Sequence, residues 1–298
     1  MLNGAEPLAT VIRSGFPESL HLGHLAVLGG ASRGNPAATF LPRSSLKPVQ
    51  AAAMLRAGLD LDGELLALAA ASHSGLPFHQ EGARRILAGA GLGPDDLDNT
   101  PDAPPADPCA EATRLAQNCS GKHAAMLATC VAAGWDTAGY RDPGHPLQKA
   151  IRRHVETLTG DDVTHTAVDG CGAPLFSCTV GGLARAFAAL ATADPDSPEG
   201  RVAAAVRAHP EWVGGPGRPI TRFLQAVPGL VAKDGAEGVF AAALPDGRAF
   251  ALTVLDGSAR PVPAVVAHVL AQWGAETGDV GHVPVLGHGD EVGLVRAI

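Results

Sequence analysis

Strand patterns stand only at the two ends of this 298-residue chain, and helical patterns fill the space between. Residues 8–13 and 22–29 read as two strands joined by a turn containing proline and glycine. Near the other end, "GVFAAALP", "DG" and "RAFALTVLDG" read as a hairpin, and "PVPAVVAHVLAQWGAE" reads as a helix. Helical periodicity covers about 47–58, 61–71, 79–91, 120–133, 146–158, 178–192 and 200–208. The stretch "GLGPDDLDNTPDAPPADP" (93–108) is rich in Pro and Asp and reads as an exposed loop. The arrangement predicts a mixed α/β fold. A largely antiparallel sheet is built from both termini, about 1–45 and 228–298, with a helical region, about 46–227, inserted between them. The whole of 1–298 is expected to form a single unit.

Composition narrows the function classes. Hydrophobic residues make up 46% of the chain, enough for a sizeable core. A net charge of −8 and a pI of about 5.8 argue against a nucleic-acid partner, which needs clustered positive charge. No run approaches ~18 consecutive apolar residues, so no membrane span is expected. The opening "MLNGAEPLATVIRSG" does not read as a signal peptide. The cysteines are Cys109, Cys119, Cys130, Cys171 and Cys178. An odd number with no export signal points to reduced thiols and a cytoplasmic location.

Lysine usage is more pointed. Of 22 basic residues only four are lysine: Lys47, Lys122, Lys149 and Lys233. Arginine supplies positive charge elsewhere but cannot be tuned into a base, whereas a buried lysine can. Drift under a coding bias is the plain alternative. Lys149 sits in an amphipathic helix beside Arg152 and Arg153 and reads as surface. The other three stand next to Ser, Cys or Gly at predicted turns or element starts.

Ser44-Ser45-Leu46-Lys47 opens a predicted helix, and residues three apart share a helix face. A serine hydroxyl needs a base to become a nucleophile, and a lysine of lowered pKa can be that base. Backbone N–H groups at the helix start favour a developing oxyanion. The tetrad alone is also what an N-cap serine and a solvated lysine would look like. Order adds weight. Serine β-lactamases and penicillin-binding proteins carry S-x-x-K, then S-D-N, then K-T-G. This chain has Ser44-x-x-Lys47, then Ser72-His73-Ser74, then Lys233-Asp234-Gly235 before a predicted strand.

Together "RSSLKPVQ", "ASHSG", "NCSGKH", "HPLQ", "DGCGAPLF" and "KDGAEGVF" resemble the bacterial type II L-asparaginase-like family of the Rhizobium kind. That family is distinct from the threonine-dependent asparaginases. The resemblance implies a serine-β-lactamase- and glutaminase-like fold that hydrolyses the side-chain amide of L-asparagine. It implies paired units of Ser44 with Lys47 and Ser72 with Lys233. It also implies that Cys119, Lys122 and Cys171 line a site able to hold zinc, with Asp169 nearby, and that the protein is a homodimer. One departure stands out: the family pattern has an acidic residue where this chain has Leu76 after Ser72-His73-Ser74-Gly75.

The spacing of Cys119, Lys122 and Cys171 does not by itself specify a metal, since no C-x-x-C or H-x₃-H pair is present. Two thiols brought together by folding can equally be structural. Cys109, Cys130 and Cys178 read as loop or core thiols. The expected chemistry is attack by Ser44 on an amide carbon with Lys47 as base, while Ser72 and Lys233 relay protons or hold substrate. No cofactor is needed for those steps. The substrate is a small zwitterion, for which Arg43, His73, Asn118 and Glu237 are candidate contacts. The alternatives are a glutaminase- or β-lactamase-like acyl hydrolase, or a non-catalytic metal- or ligand-binding protein on the same scaffold.

Overall fold

A computed structural model describes residues 3–298. The chain opens with β1 (Glu6–Arg13) and β2 (Phe16–Val27). Arg13 pairs with Phe16, so only Ser14 and Gly15 turn the chain, at φ 49° and 81°. Positive φ at both positions matches a two-residue hairpin turn to the strand twist. The second strand therefore starts at Phe16 rather than at 22, and Pro17 lies inside it. Pro17 stands beside a register shift opposite Ile12, where its missing N–H is tolerated.

The short β3 (Thr39–Phe40) and a 3₁₀ turn, Arg43–Leu46, run into α1 (Lys47–Arg56). Then come α2 (Gly63–Ala69), α3 (Pro77–Gly89), α4 (Ser120–Ala133) and α5 (Pro146–Thr159). β4 (Thr166–Val168) pairs with β5 (Pro174–Phe176), and β6 (Cys178–Thr179) pairs with β3. They lead to α6 (Val180–Thr192), α7 (Pro198–Ala208), the single turn α8 (Pro210–Val213) and α9 (Pro219–Ala226). β7 (Val231–Gly235), β8 (Val239–Ala243) and β9 (Ala249–Val254) follow. α10 (Val262–Gln272) then precedes the closing hairpin of β10 (Pro284–Gly287) and β11 (Asp290–Ala297).

The main sheet has the order β10-β11-β1-β2-β9-β8-β7, with every neighbouring pair antiparallel. Both chain ends thus build one sheet, and the segment from α1 to α9 lies between them in sequence. α6 packs over β2, β8 and β9, and α10 over β1, β8 and β11. β8 and β9 are buried along their whole length, so these helices cover opposite faces. β7 is one of the two edge strands, and the 3₁₀ turn at Arg43–Leu46 packs against it. That contact brings Ser44-x-x-Lys47 and Lys233 together across nearly two hundred residues.

Candidate active site

Gly235 explains how closely the turn approaches the strand. A Cβ there would lie 2.8 Å from the Pro42 carbonyl oxygen and 3.3 Å from the Ser45 nitrogen. Ser45 is buried and donates its hydroxyl to the Pro42 carbonyl at 2.6 Å, whereas Ser44 is half-buried. Lys47 bonds back through its own N–H to the Ser44 carbonyl.

The side chain of Lys47 is only 1% exposed. Its Nζ donates to the Ala71 carbonyl at 2.5 Å, to Ser72 Oγ at 3.0 Å and to Cys119 Sγ at 3.0 Å. Ser44 is not among its partners. The expected pairing is thereby re-sorted, with Lys47 joining the second serine rather than the first. α2 ends at Ala69 and not at 71, and the released Ala70–Ser74 segment brings the Ala71 carbonyl and Ser72 to the lysine. Lys233, fully buried, gives its Nζ to the Asp234 carbonyl at 2.8 Å and to the Asp234 carboxylate instead of to Ser72. Burial lowers Lys233 to about 8, although Asp234 works to raise it.

"NCSGKH" forms the start of α4. Gly121 presses on α2, where a Cβ would lie 2.5 Å from Leu68 Cγ and 2.6 Å from the Leu68 carbonyl oxygen. The glycine lets α4 approach closely enough to place Cys119 and Lys122 inside. Lys122 is 2% exposed and donates to Cys171 Sγ at 3.1 Å. Cys119, Cys171 and Ala173 form a small buried cluster.

The hydrogen bond from Cys171 holds the Cys119 thiol well below its usual range, aided by the Lys47 and Lys122 charges and opposed by burial. The same bond, and then burial, push Cys171 up. Burial works to lower Lys122, but the charges of Cys171 and Cys119 keep it firmly protonated. Asp169 is raised by burial and lowered more strongly by Lys122 and Arg43.

Arg43 donates its Nε to Asp169 Oδ1 at 2.8 Å and stands 3.8 Å from Glu237 through Nη1. Both Arg43 and Glu237 hold left-handed backbone, at φ 53° and 62°. Such strain costs on the order of 1–3 kcal/mol per residue and clusters at functional sites. Together they line a cavity of about 480 Å³ with Phe40, Leu41 and Val239. Asn118 is half-buried, and its Oδ1 lies 3.0 Å from Cys119 Sγ. His73 is a correction. It is fully buried, its Nδ1 accepts from the Gly75 N–H at 3.1 Å, and its Nε2 donates to Ser120 Oγ at 3.0 Å. Both ring nitrogens are spent on protein partners, so His73 braces the loop after Ser72 instead of meeting substrate. Leu76 sits at the N-cap of α3 on the same loop.

Among the described residues, no three His, Cys, Asp or Glu side chains are arranged to hold a metal. Cys119 and Cys171 with Lys122 still offer two sulfurs and one nitrogen, donor types that suit zinc. Lys122 would have to exchange its proton for the metal. All five cysteines are free thiols, and no described helix is long and apolar enough to cross a membrane.

Two neighbours of the site escaped sequence reasoning. Arg218 bonds the Ser72 carbonyl and the Asp234 carboxylate, and "GPGRPITRF" gives no sign of it. The Tyr140 hydroxyl meets His123 Nδ1 at 2.7 Å behind Lys122. Only the rarity of tyrosine, one residue in the chain, could have marked the second.

A model of the L-asparaginase II family matches residues 9–297. No curated protein matches the chain. Among solved structures, the native form of Mglu is 17% identical with a TM-score of 0.47, over 86% of this chain and 65% of that one. This chain thus spans under two thirds of that structure's length. A β-lactamase from Mycobacterium bovis is 18% identical with a TM-score of 0.47, over 87% of this chain and 97% of that one. EstCE1, a hydrolase with promiscuous acyltransferase activity, is 13% identical with a TM-score of 0.40, over 87% and 91%.

Proposed function

The chain belongs to the L-asparaginase II family of amidohydrolases, and from that premise we propose that it converts L-asparagine to L-aspartate and ammonia through a seryl ester. The observation that carries this reading is the buried Lys47. Its Nζ lies 3.0 Å from Ser72 Oγ, and the residue stands three positions after Ser44, at the end of the turn that packs against the strand bearing Lys233.

Ser44 Oγ bonds to the side-chain amide carbon, and its proton passes to Lys47 after the lysine has handed one of its three donated protons to Cys119 Sγ and turned toward the serine. Ser72, hydrogen-bonded to Lys47, hands a proton to the leaving nitrogen as the carbon–nitrogen bond breaks and ammonia departs. Water then adds to the ester carbon, the serine leaves with a proton, and aspartate is released. Lys233, poised near neutrality, takes up and returns protons from its place beside Asp234. Arg43 faces the α-carboxylate of the substrate and Glu237 its α-ammonium, while Asn118 contributes amide hydrogen bonds. Cys119, Cys171 and Lys122 would hold a zinc ion, which when bound supplies positive charge next to the substrate. The working unit is a cytoplasmic homodimer, supported by the family resemblance. Light scattering that gives twice the 30.1 kDa chain mass tests the dimer.

The decisive assay measures ammonia released from L-asparagine and L-glutamine by purified protein, with a chromogenic β-lactam alongside. Release from asparagine well above the other two substrates is expected. Preference for glutamine or for the β-lactam would reassign the substrate, and inertness toward all three would leave a binding protein.

A further inference from the structure

Arg218 occupies the N-cap position of α9, ahead of Pro219, on extended backbone. Its guanidinium is divided between two elements that carry the proposed chemistry. Nη1 donates to the carbonyl oxygen of Ser72 at 2.6 Å, and Nη2 donates to Asp234 Oδ2 at 3.0 Å. The other Asp234 oxygen receives the ammonium of Lys233. On the far side, Ser72 Oγ receives Lys47. An unbroken line of contacts therefore runs from Lys47 through Ser72, Arg218 and Asp234 to Lys233.

The Ser72 segment needs such a tie. It has no regular secondary structure, and it is held by the Ser72 N–H to the Val213 carbonyl at 3.0 Å and the His73 N–H to the Asn118 carbonyl at 3.1 Å. Neither bond refers it to the edge strand β7. A guanidinium carries its donors on separate nitrogens of one rigid plane, so it spans two acceptors at fixed directions where an ammonium must reach both from a single atom.

We infer that Arg218 is a positioning residue, which sets the Ser72 hydroxyl relative to Lys233 by joining the carbonyl of one to the carboxylate beside the other. The inference rests on the reading that both residues serve one amide hydrolysis. The test compares wild type, Arg218→Ala, Arg218→Lys and Arg222→Ala. The last, on the same helix as Arg218, removes an ion pair to the exposed Asp279.

Misplacement by about 1 Å can cost on the order of 10²-fold. Arg218→Ala should lose roughly that much kcat for asparagine, with KM nearly unchanged. Free guanidinium at a non-denaturing concentration should restore part of the loss, and Arg218→Lys should restore little. Hydrogen exchange, which needs no substrate, should show residues 70–76 and 231–236 losing protection together while β1 and β2 keep theirs. Arg222→Ala should change neither measurement. Wild-type exchange in either segment, or uniform loss of protection along the chain, would overturn the positioning role. Should Arg218→Ala not fold, Arg218→Lys carries the same exchange test. If wild type releases no ammonia, the functional reading fails while the exchange comparison still decides on Arg218.

Discussion

Lys47 donates to three acceptors from one buried nitrogen, and that geometry sets what arginine can do in its place. A guanidinium is wider and never gives up its proton. Lys47→Arg and Lys233→Arg should each lower turnover by roughly 10²–10⁴-fold, the span of general-base contributions. Lys149→Arg, exposed on α5, should change little, and near-normal turnover in both buried variants would sink the serine–lysine mechanism. Ser44→Ala should abolish acylation while leaving the fold intact, which mass spectrometry of the trapped ester can locate. Lys233 adds a pH signature. Its amine is neutral only above about 8, so the rate should climb with pH through that value and the limb should vanish in Lys233→Arg. Stability follows the same sign. The folded value lies below the ordinary 10.5, so the unfolded chain binds more protons in between. Stability should rise from about pH 8 to about 10.5, and a urea series across that window should find the slope reduced in Lys233→Met. The scarcity of lysine pointed to Lys47, Lys122 and Lys233, all three buried. Which serine each lysine meets was not legible, because side-chain direction depends on where α2 ends and how α4 packs.

At the scale of elements, the position of α4 depends on one missing side chain. Gly121→Ala would drive a methyl into Leu68, including its backbone oxygen, which cannot rotate away. Overpacking of this kind costs about 1–3 kcal/mol, and a lower melting temperature should accompany a shift of Cys119 from Lys47. An unchanged melting temperature with wild-type activity would show that α4 can slide without cost. Most helices from α1 to α7 were legible, because each carries an apolar face at helical spacing. β8 and β9 were legible from the "DG" turn between two apolar runs. The closing hairpin of β10 and β11 was not, since "PVLGHGDEVGLVRAI" breaks its alternation with glycines. Its turn rests on His288 and Gly289, both at positive φ. α9 was also missed. It has only eight residues, and its function as the platform for Arg218 depends on strands that follow it in sequence.

Across the whole molecule, the site is where separate parts of the chain converge, and each part contributes a group that would be costly to bury alone. α1 supplies Lys47, the loop after α2 supplies Ser72, and α4 supplies Cys119 and Lys122. The turn between β4 and β5 supplies Cys171, and β7 supplies Lys233. Buried ammonium groups are tolerated because thiol sulfurs, carbonyls and the Asp234 carboxylate surround them. A zinc ion held by Cys119, Cys171 and Lys122 would tie α4 to the β4–β5 turn and stabilise the folded chain by mass action. Elemental analysis should then show about one zinc per chain. Chelation should lower the melting temperature of wild type. The Cys119→Ser, Cys171→Ser double variant should carry no zinc and melt at the same temperature with or without chelator. If wild type proves metal-free and fully active, the two thiols and their lysines form a purely electrostatic cluster. Lys122→Met should then destabilise the fold, because Cys171 loses its buried donor and Cys119 loses one of the two cations that lower it.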